Sequence, residues 1–348
     1  MKEQTDEGEV RRIQVTGRGS YIVSLPKKWV ENIGLGRGGQ VVVARENGTL
    51  RVTPRTMVKQ EKRNEITFAI SSKGDVESIV RRVIALYLVG YNVIRLRSTE
   101  GRLLSSVRDA IRDTVRKKLV GTEIVTESPE ELTLQVLLSY PELPVEDALR
   151  RMVIIASSMQ KDSVQALKEG NTALAEEVIK MDDEVDRFSF YIVRQIKTAV
   201  QNTRIMKEIC LYSPRECLGY RLIVKSVERA ADHAVKIAEN ARLLQVRIDP
   251  RLLERISEIN SFSNSIFEDA IKSLFKRSYD SADEVLKKTK RIEAYENQII
   301  PEISKQKIKG AEMSSLRLIL ESLRRICEYG SDIAEVVLNL TAIKPQEP

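Results

Sequence analysis

The sequence is poor in the residues from which most enzyme sites are built. Among 348 residues there is one histidine, His233, and one tryptophan, and aromatics make up 5% of the chain. A single histidine rules out a histidine-rich metal centre, and neither a Ser-His-Asp set nor a phosphate-cradling glycine loop can be found. Cysteine is scarce too. Cys210, Cys217 and Cys327 form no C-x-x-C pair, which excludes a disulfide framework or a zinc ribbon and suits a reducing cytoplasm. Long hydrophobic runs are missing: the longest uncharged apolar stretch is Val83 to Ile94, well short of the roughly 18 residues of a membrane span. The opening MKEQTDEGEV lacks the apolar core of a signal peptide. A cytoplasmic location is expected, with any membrane contact peripheral.

Acid is locally scarce as well. Residues 10–59 hold ten Lys or Arg against Glu31 and Glu46, so a segment of +8 sits in a chain of net +7. Compact basicity of this kind points to a polyanion such as nucleic acid or anionic lipid; the plain alternative is a soluble surface.

What is present divides into three parts. Residues 9–58 read as strand, strand, helix, strand, strand, with Pro26 at the first turn of the helix and Asn47-Gly48 at the bend of the last hairpin. So few residues bury little core alone, and the consecutive Val41, Val42 and Val43 call for cover on both faces. A second chain would supply it. Residues 64–141 read βαβαββ, a small open α/β sandwich. Val76, Ile79, Val80, Val83, Ile84 and Tyr87 recur at helical spacing, while Leu132, Leu134, Val136 and Leu138 alternate. The segment carries no chemical motif. Arg116, Lys117 and Lys118 read as a solvated helix end, and the default role is a linker or a dimerising element. Residues 145–343 are helical, expected near 145–169, 172–201, 214–246, 250–278, 282–308 and 311–341. Gly170, the capping box Ser213-Pro214-Glu216, Asp249-Pro250, the box Ser281/Glu284 and Gly310 punctuate them. Short connections make these bundles. The fold class is thus multidomain: one half of a swapped-hairpin β-barrel, a small α/β sandwich, and six helices as a double three-helix bundle.

The six helices read as two copies of three. SVERAADHAVKIAENA in the third aligns with SLRRICEYGSDIAEVV in the sixth. MDDEVDRF in the second aligns with RIEAYENQ in the fifth, setting Asp183 and Asp186 opposite Glu293 and Glu296. VERAADHAVKIAENA and MDDEVDRF closely resemble the acidic helices of the PhoU family, over residues 145–343. That resemblance implies a six-helix double bundle that binds multivalent metal through acidic side chains and restrains phosphate uptake and its signalling. The residues agree with it in register. Glu228 and Asp232 share a helix face beside a stripe of small residues, Glu239 returns to nearly that face three turns on, and close packing would bring Asp183 and Asp186 near. Asp183, Asp186, Glu228 and Asp232 are the expected ligands of a multivalent ion, Fe, Zn, Mn or Mg. The second copy departs: Arg324 stands at the position of Glu228 and pairs with Glu328 or weakens the site, while Glu328 and Asp332 offer a shifted pair. His233 reads as structural rather than as a ligand.

VTGRGSYIVSLPKKWVENIGLGRGGQVVVARENGTLRVTPR resembles the AbrB/SpoVT family. The likeness implies an interleaved dimer that contacts DNA through Arg11, Arg12, Arg18, Lys27 and Lys28. Val30, Glu31 and Asn32 stand where that family often has arginines. The leading expectation is a phosphate-responsive, DNA-binding regulator of phosphate uptake, a homodimer or higher oligomer. The alternative is an adaptor that restrains a membrane phosphate transporter or signalling kinase, its N-terminal part only dimerising. A metal-dependent phosphate-ester hydrolase ranks last, and the chain is expected not to be an enzyme.

Overall fold

The computed structural model describes residues 9–17, 19–46, 48–55, 64–71, 74–137, 143–244, 248–305 and 310–342. The chain divides into two compact units, Met1–Arg63 and Asn64–Pro348.

In the first unit, β1 (Gln14–Thr16) and β2 (Ser20–Ile22) form an antiparallel hairpin, with Val15 opposite Tyr21. α1 (Lys27–Asn32) follows, and β3 (Val41–Glu46) pairs antiparallel with β4 (Thr49–Pro54), Val43 opposite Val52. The strand, strand, helix, strand, strand order is the expected one. Its core is missing: among the described residues of this unit only Pro54 is buried. Val15 is 65% exposed, Tyr21 76% and Leu50 67%, so a single chain leaves its β-branched and aromatic faces in water.

The second unit begins with a sheet of order β5-β6-β8-β7. β5 (Glu65–Ile70) and β6 (Val93–Ser98) are parallel, joined through α2 (Val76–Val89). α3 (Ser105–Lys118) leads to β7 (Thr122–Glu127) and β8 (Glu131–Val136), an antiparallel pair with β8 inserted beside β6. Asp75 caps α2 by accepting from the Glu77 and Ser78 amides, and Gly90, at φ 107°, ends it in the left-handed conformation that glycine adopts without strain. Val83, Tyr87, Leu96, Ile111, Leu132 and Leu134 close one core between helices and sheet. Leu138, the last residue of the expected alternation, lies outside the described residues.

Eight helices are described thereafter: α4 (Val145–Glu169), α5 (Thr172–Gln201), α6 (Thr203–Glu208), α7 (Pro214–Leu243), α8 (Pro250–Lys276), α9 (Tyr279–Thr289), α10 (Ile292–Ser304) and α11 (Gly310–Thr341). Gly170 closes α4, Ser213 caps α7 by accepting from the Glu216 amide, and Asp249 caps α8 by accepting from the Arg251 amide. The fifth expected helix is two, broken between Thr289 and Ile292, and it starts earlier than 282. Ser278, not Ser281, is its cap, accepting from the Ser281 amide. A short helix, α6, also precedes α7.

α4, α5 and α7 pack mutually as one three-helix group; α8, α9 and α11 form the second; α7 lies along α11 where the two meet. Gly330 permits close packing of α11 on α8: a Cβ there would stand 2.9 Å from the Ile266 side chain and 3.1 Å from the Phe267 nitrogen. α2 and α3 both pack on α5. Arg194, 3% exposed on α5, anchors them. Its guanidinium donates to the carbonyls of Tyr87, Tyr91 (2.9 Å) and Gly90 (3.4 Å) and to Asn92 Oδ1 (2.7 Å), and it lies 4.8 Å from the Tyr87 ring centre. The Tyr87 carbonyl belongs to the last turn of α2 and those of Gly90 and Tyr91 follow it directly, so the cation sits at the negative end of the α2 dipole.

Candidate functional site: the acidic clusters of the two repeats

Helical spacing puts Asp182, Asp183 and Asp186 near one another on α5, and Glu228 and Asp232 one turn apart on α7. Close packing of α5 on α7 brings the two sets together, as expected: Asp232 and Asp186 both act on the charge of Asp182. Burial first, and then Asp186 and Asp232, push the Asp182 carboxyl up to about 7, and its Oδ1 is buried without a hydrogen-bond partner. Asp232 is raised as well, by burial and then by Glu228. Sequence reasoning passed over Asp182, although it stands beside Asp183 in the same acidic run.

Into this cluster reaches Lys118, the last residue of α3. Its Nζ donates to Asp186 Oδ2 at 2.9 Å and lies 3.8 Å from Asp183 Oδ1. Burial works against the ammonium, but the hydrogen bond and charge of Asp186, with Asp183 and Asp182 behind it, outweigh that and raise its pKa. Read from sequence, Lys118 belonged to a solvated helix end; in the folded chain it is an ion-pairing partner of α5, because docking α3 on α5 aims the helix terminus at the aspartates. Glu228 pairs with Lys225, one turn before it on α7. Glu239 is exposed and takes no part.

The four expected ligands therefore do not offer a cage for a multivalent ion in this arrangement. Asp183 and Asp186 face an ammonium, and Glu228 faces another. Among the described residues, no group of three or more His, Cys, Asp or Glu side chains is placed to hold a metal ion. His233 turns elsewhere: its ring lies 5.7 Å from that of Tyr329 on α11, its Nδ1 is buried without a partner, and burial, then Lys236 and Arg325, lower its pKa to about 4.

In the second repeat the positive charge comes from within the repeat. Arg324 Nε lies 3.6 Å from Glu296 Oε1 and 3.5 Å from Glu328 Oε1, and Nη2 lies 3.3 Å from Glu321. The pairing of Arg324 with Glu328 is the one its i,i+4 spacing implied. Arg325 adds a contact to Glu328 at 2.5 Å. Glu293 is exposed, so only Glu296 of the aligned pair joins the cluster. Asp332 is raised by burial and then by Glu335.

Of the basic residues in the first unit, Lys27 is 88% exposed and 3.7 Å from Glu31, and Lys28 and Arg12 are exposed. Arg11 pairs with Glu9. Arg18 lies outside the described residues.

Comparison with known proteins agrees with this division. A model of the PhoU domain matches residues 149–241 and 256–337, just over half of the chain in two consecutive copies. A model described as "Antidote-toxin recognition MazE, bacterial antitoxin" matches residues 14–60. A phosphate-specific transport system accessory protein PhoU homolog from Clostridium acetobutylicum is 24% identical over 196 residues, 55% of this chain and 88% of that protein. Another, from Aquifex aeolicus, is 27% identical over 163 residues, 45% of this chain and 69% of its own length. The crystal structure of PhoU from Pseudomonas aeruginosa superposes with a TM-score of 0.51 at 21% identity, covering 57% of this chain and 95% of that one. No helix among the described residues is long and apolar enough to cross a membrane.

Proposed function

Because the chain belongs to the PhoU family, with a MazE/AbrB-like domain at its N-terminus, we propose that it is a non-enzymatic accessory regulator of phosphate transport. It acts in the cytoplasm as an adaptor, its helical repeats docking on a phosphate transporter or signalling kinase at the membrane while the N-terminal unit joins two copies. The observation that carries this reading is the PhoU match over both repeats, shared with two relatives named for phosphate-specific transport. The chemistry of the clusters supports it. Lys118, Lys225 and Arg324 pair there with Asp186, Glu228 and Glu328, as in a structural ion-pair network. The test is phosphate uptake in cells lacking the gene and in cells given it back. Uptake that escapes control without the protein, together with recovery of a transporter or kinase subunit on the tagged full chain, is expected. Unchanged uptake in high and low phosphate refutes the reading.

A second reading rests on one observation, the exposed Lys27 and Lys28 in a unit that is strongly basic. Phosphate contacts from such side chains hold DNA without sequence information. In this reading the N-terminal unit binds promoters of phosphate-uptake genes and the repeats report phosphate status. Genomic footprinting at high and low phosphate separates the two, since an adaptor protects no promoters.

A further inference from the structure

One end of the first three-helix group carries arginine and leucine where a surface helix ordinarily mixes both signs of charge. The chain from Gln201 to Pro214 joins α5 to α7 at this end. α11 finishes there too, since a Cβ on Gly219 would stand 2.9 Å from the Leu340 side chain. Arg215, Leu218 and Leu222 are spaced three and four residues apart and share one face of α7, with Arg221 beside them. Val200 at the end of α5, Tyr212, Leu218 and Leu222 are each more than half exposed.

Acid is missing from this end. Residues 189–201 of α5, 214–227 of α7 and 336–341 of α11 hold one carboxylate between them, Glu216. It is already taken: Arg277 Nη1 lies 3.1 Å from its Oε1, and the Tyr212 amide donates to its Oε2 at 2.6 Å. Glu208, in the connection, is held by Arg204 at 2.8 Å. Lys197, Arg215 and Arg221 have no ion-pair partner among the described residues. A second copy laid on this face would set cation against cation. The apolar side chains stand out from a helix face rather than sit in a cleft, which suits a fluid surface that closes around them. Arginine stems can lie among apolar groups while their heads reach phosphates. We propose that this end of the first repeat is an interfacial binding face for an anionic lipid surface. Tyr212, Leu218 and Leu222 enter the headgroup boundary, and Lys197, Arg215 and Arg221 meet lipid phosphates. No spanning helix is needed for this contact.

The experiment uses the purified full chain and its own thiol. Cys210 is exposed two residues before Tyr212, while Cys217 and Cys327 are buried, so an environment-sensitive dye on Cys210 reports this face alone. The probes are protein-free vesicles of phosphatidylcholine, with or without about one-third phosphatidylglycerol. The dye is expected to shift to the blue on anionic vesicles, to stay unshifted on neutral ones, and to respond less as salt rises. Arg215→Gln with Arg221→Gln is expected to raise the lipid concentration at half-shift by about tenfold or more. Leu218→Gln with Leu222→Gln is expected to remove the shift; both side chains are exposed, and an unchanged melting curve confirms the fold. Chain that sediments with anionic vesicles while the dye stays in water is held by the basic N-terminal unit, and overturns the proposal. A shift that is equal on neutral vesicles, or that survives both pairs of substitutions, overturns it as well. A dye that shifts only on native membranes carrying their proteins assigns the face to a protein partner instead. Because the vesicles hold no transporter or kinase, none of these outcomes depends on the adaptor reading.

Discussion

Replacing Arg194 with Met tests what holds the α/β layer on the helical repeats. The substitution keeps most of the apolar stem and deletes the guanidinium. Four acceptors lose a donor: the carbonyls of Tyr87, Gly90 and Tyr91 and the side chain of Asn92. Their losses are unequal. The Tyr87 carbonyl keeps the Gly90 amide, 3.1 Å away, and Asn92 can rotate toward water. The Gly90 and Tyr91 carbonyls lie past the end of α2, where no intrahelical donor exists, and a buried carbonyl left without a partner costs about 1–3 kcal/mol. Removing the cation also strips the α2 C-terminus of its balancing charge, worth up to ~2 kcal/mol in a partly buried setting. The favourable release of a desolvated guanidinium offsets part of this. A net loss of about 3 kcal/mol follows, and it falls on the docking of the layer rather than on the repeats. Native-state hydrogen exchange is the assay, since at about 1.4 kcal/mol per factor of ten the α2 amides should exchange ~100-fold faster while those of α7 and α11 stay put. An acceleration below about fivefold, or one spread evenly over the whole unit, would refute the assignment of Arg194 as the anchor.

The bare apolar faces of the first unit predict a dimer: light scattering on the full chain should give twice the monomer mass at micromolar concentration, and Val43→Asp should halve it. If Lys27 and Lys28 contact DNA phosphates, replacing both with Ala should flatten the log–log salt dependence of affinity by about 1.8, at ~0.9 per phosphate released; an unchanged slope leaves the unit as a dimerising element. His233 supplies a pH test. Burial lowers its folded pKa from 6.5 to about 4, so the unfolded chain takes up its proton first on acidification, and stability is lost as pH falls from about 6.5 toward 4. His233→Gln should make urea midpoints between pH 7 and 4.5 less pH-dependent, the parent's slope surviving in the variant being the contrary result.

The elements of the fold were legible where one segment decides its own structure. The βαβαββ order, the caps at Ser213 and Asp249 and the left-handed glycines at 90 and 170 all follow from local chemistry. The fifth helix was misplaced because Ser281 and Glu284 satisfy a capping box as a pattern, while Ser278, three residues earlier, takes the cap. Arg324 was readable too, since its partner Glu328 lies on the same helix face. Asp182 was within reach: in an acidic run, the residue turned toward the neighbouring helix loses its water, and its carboxyl rises to about 7 while Asp183 beside it is 43% exposed at its side chain. No pattern in the sequence links Lys118 to Asp186, because that contact exists only where α3 docks on α5.

That last point changes what the α/β segment is for. Taken as sequence it has no motif and defaults to a linker. In the folded chain it carries the charge that the first repeat lacks. Take away α3, and Asp182, Asp183 and Asp186 confront Asp232 and Glu228 with Lys225 and Lys236 of α7 as nearby lysines. Like charges packed between helices repel strongly where water is sparse, so the repeat would have to take up protons, take up a cation or splay α5 from α7. The second repeat faces no such choice, because Arg324 travels with α11. Two copies of one helical plan have thus been made unequal by the origin of a single positive charge, and the copy that borrows its charge is the one whose packing another part of the chain can alter.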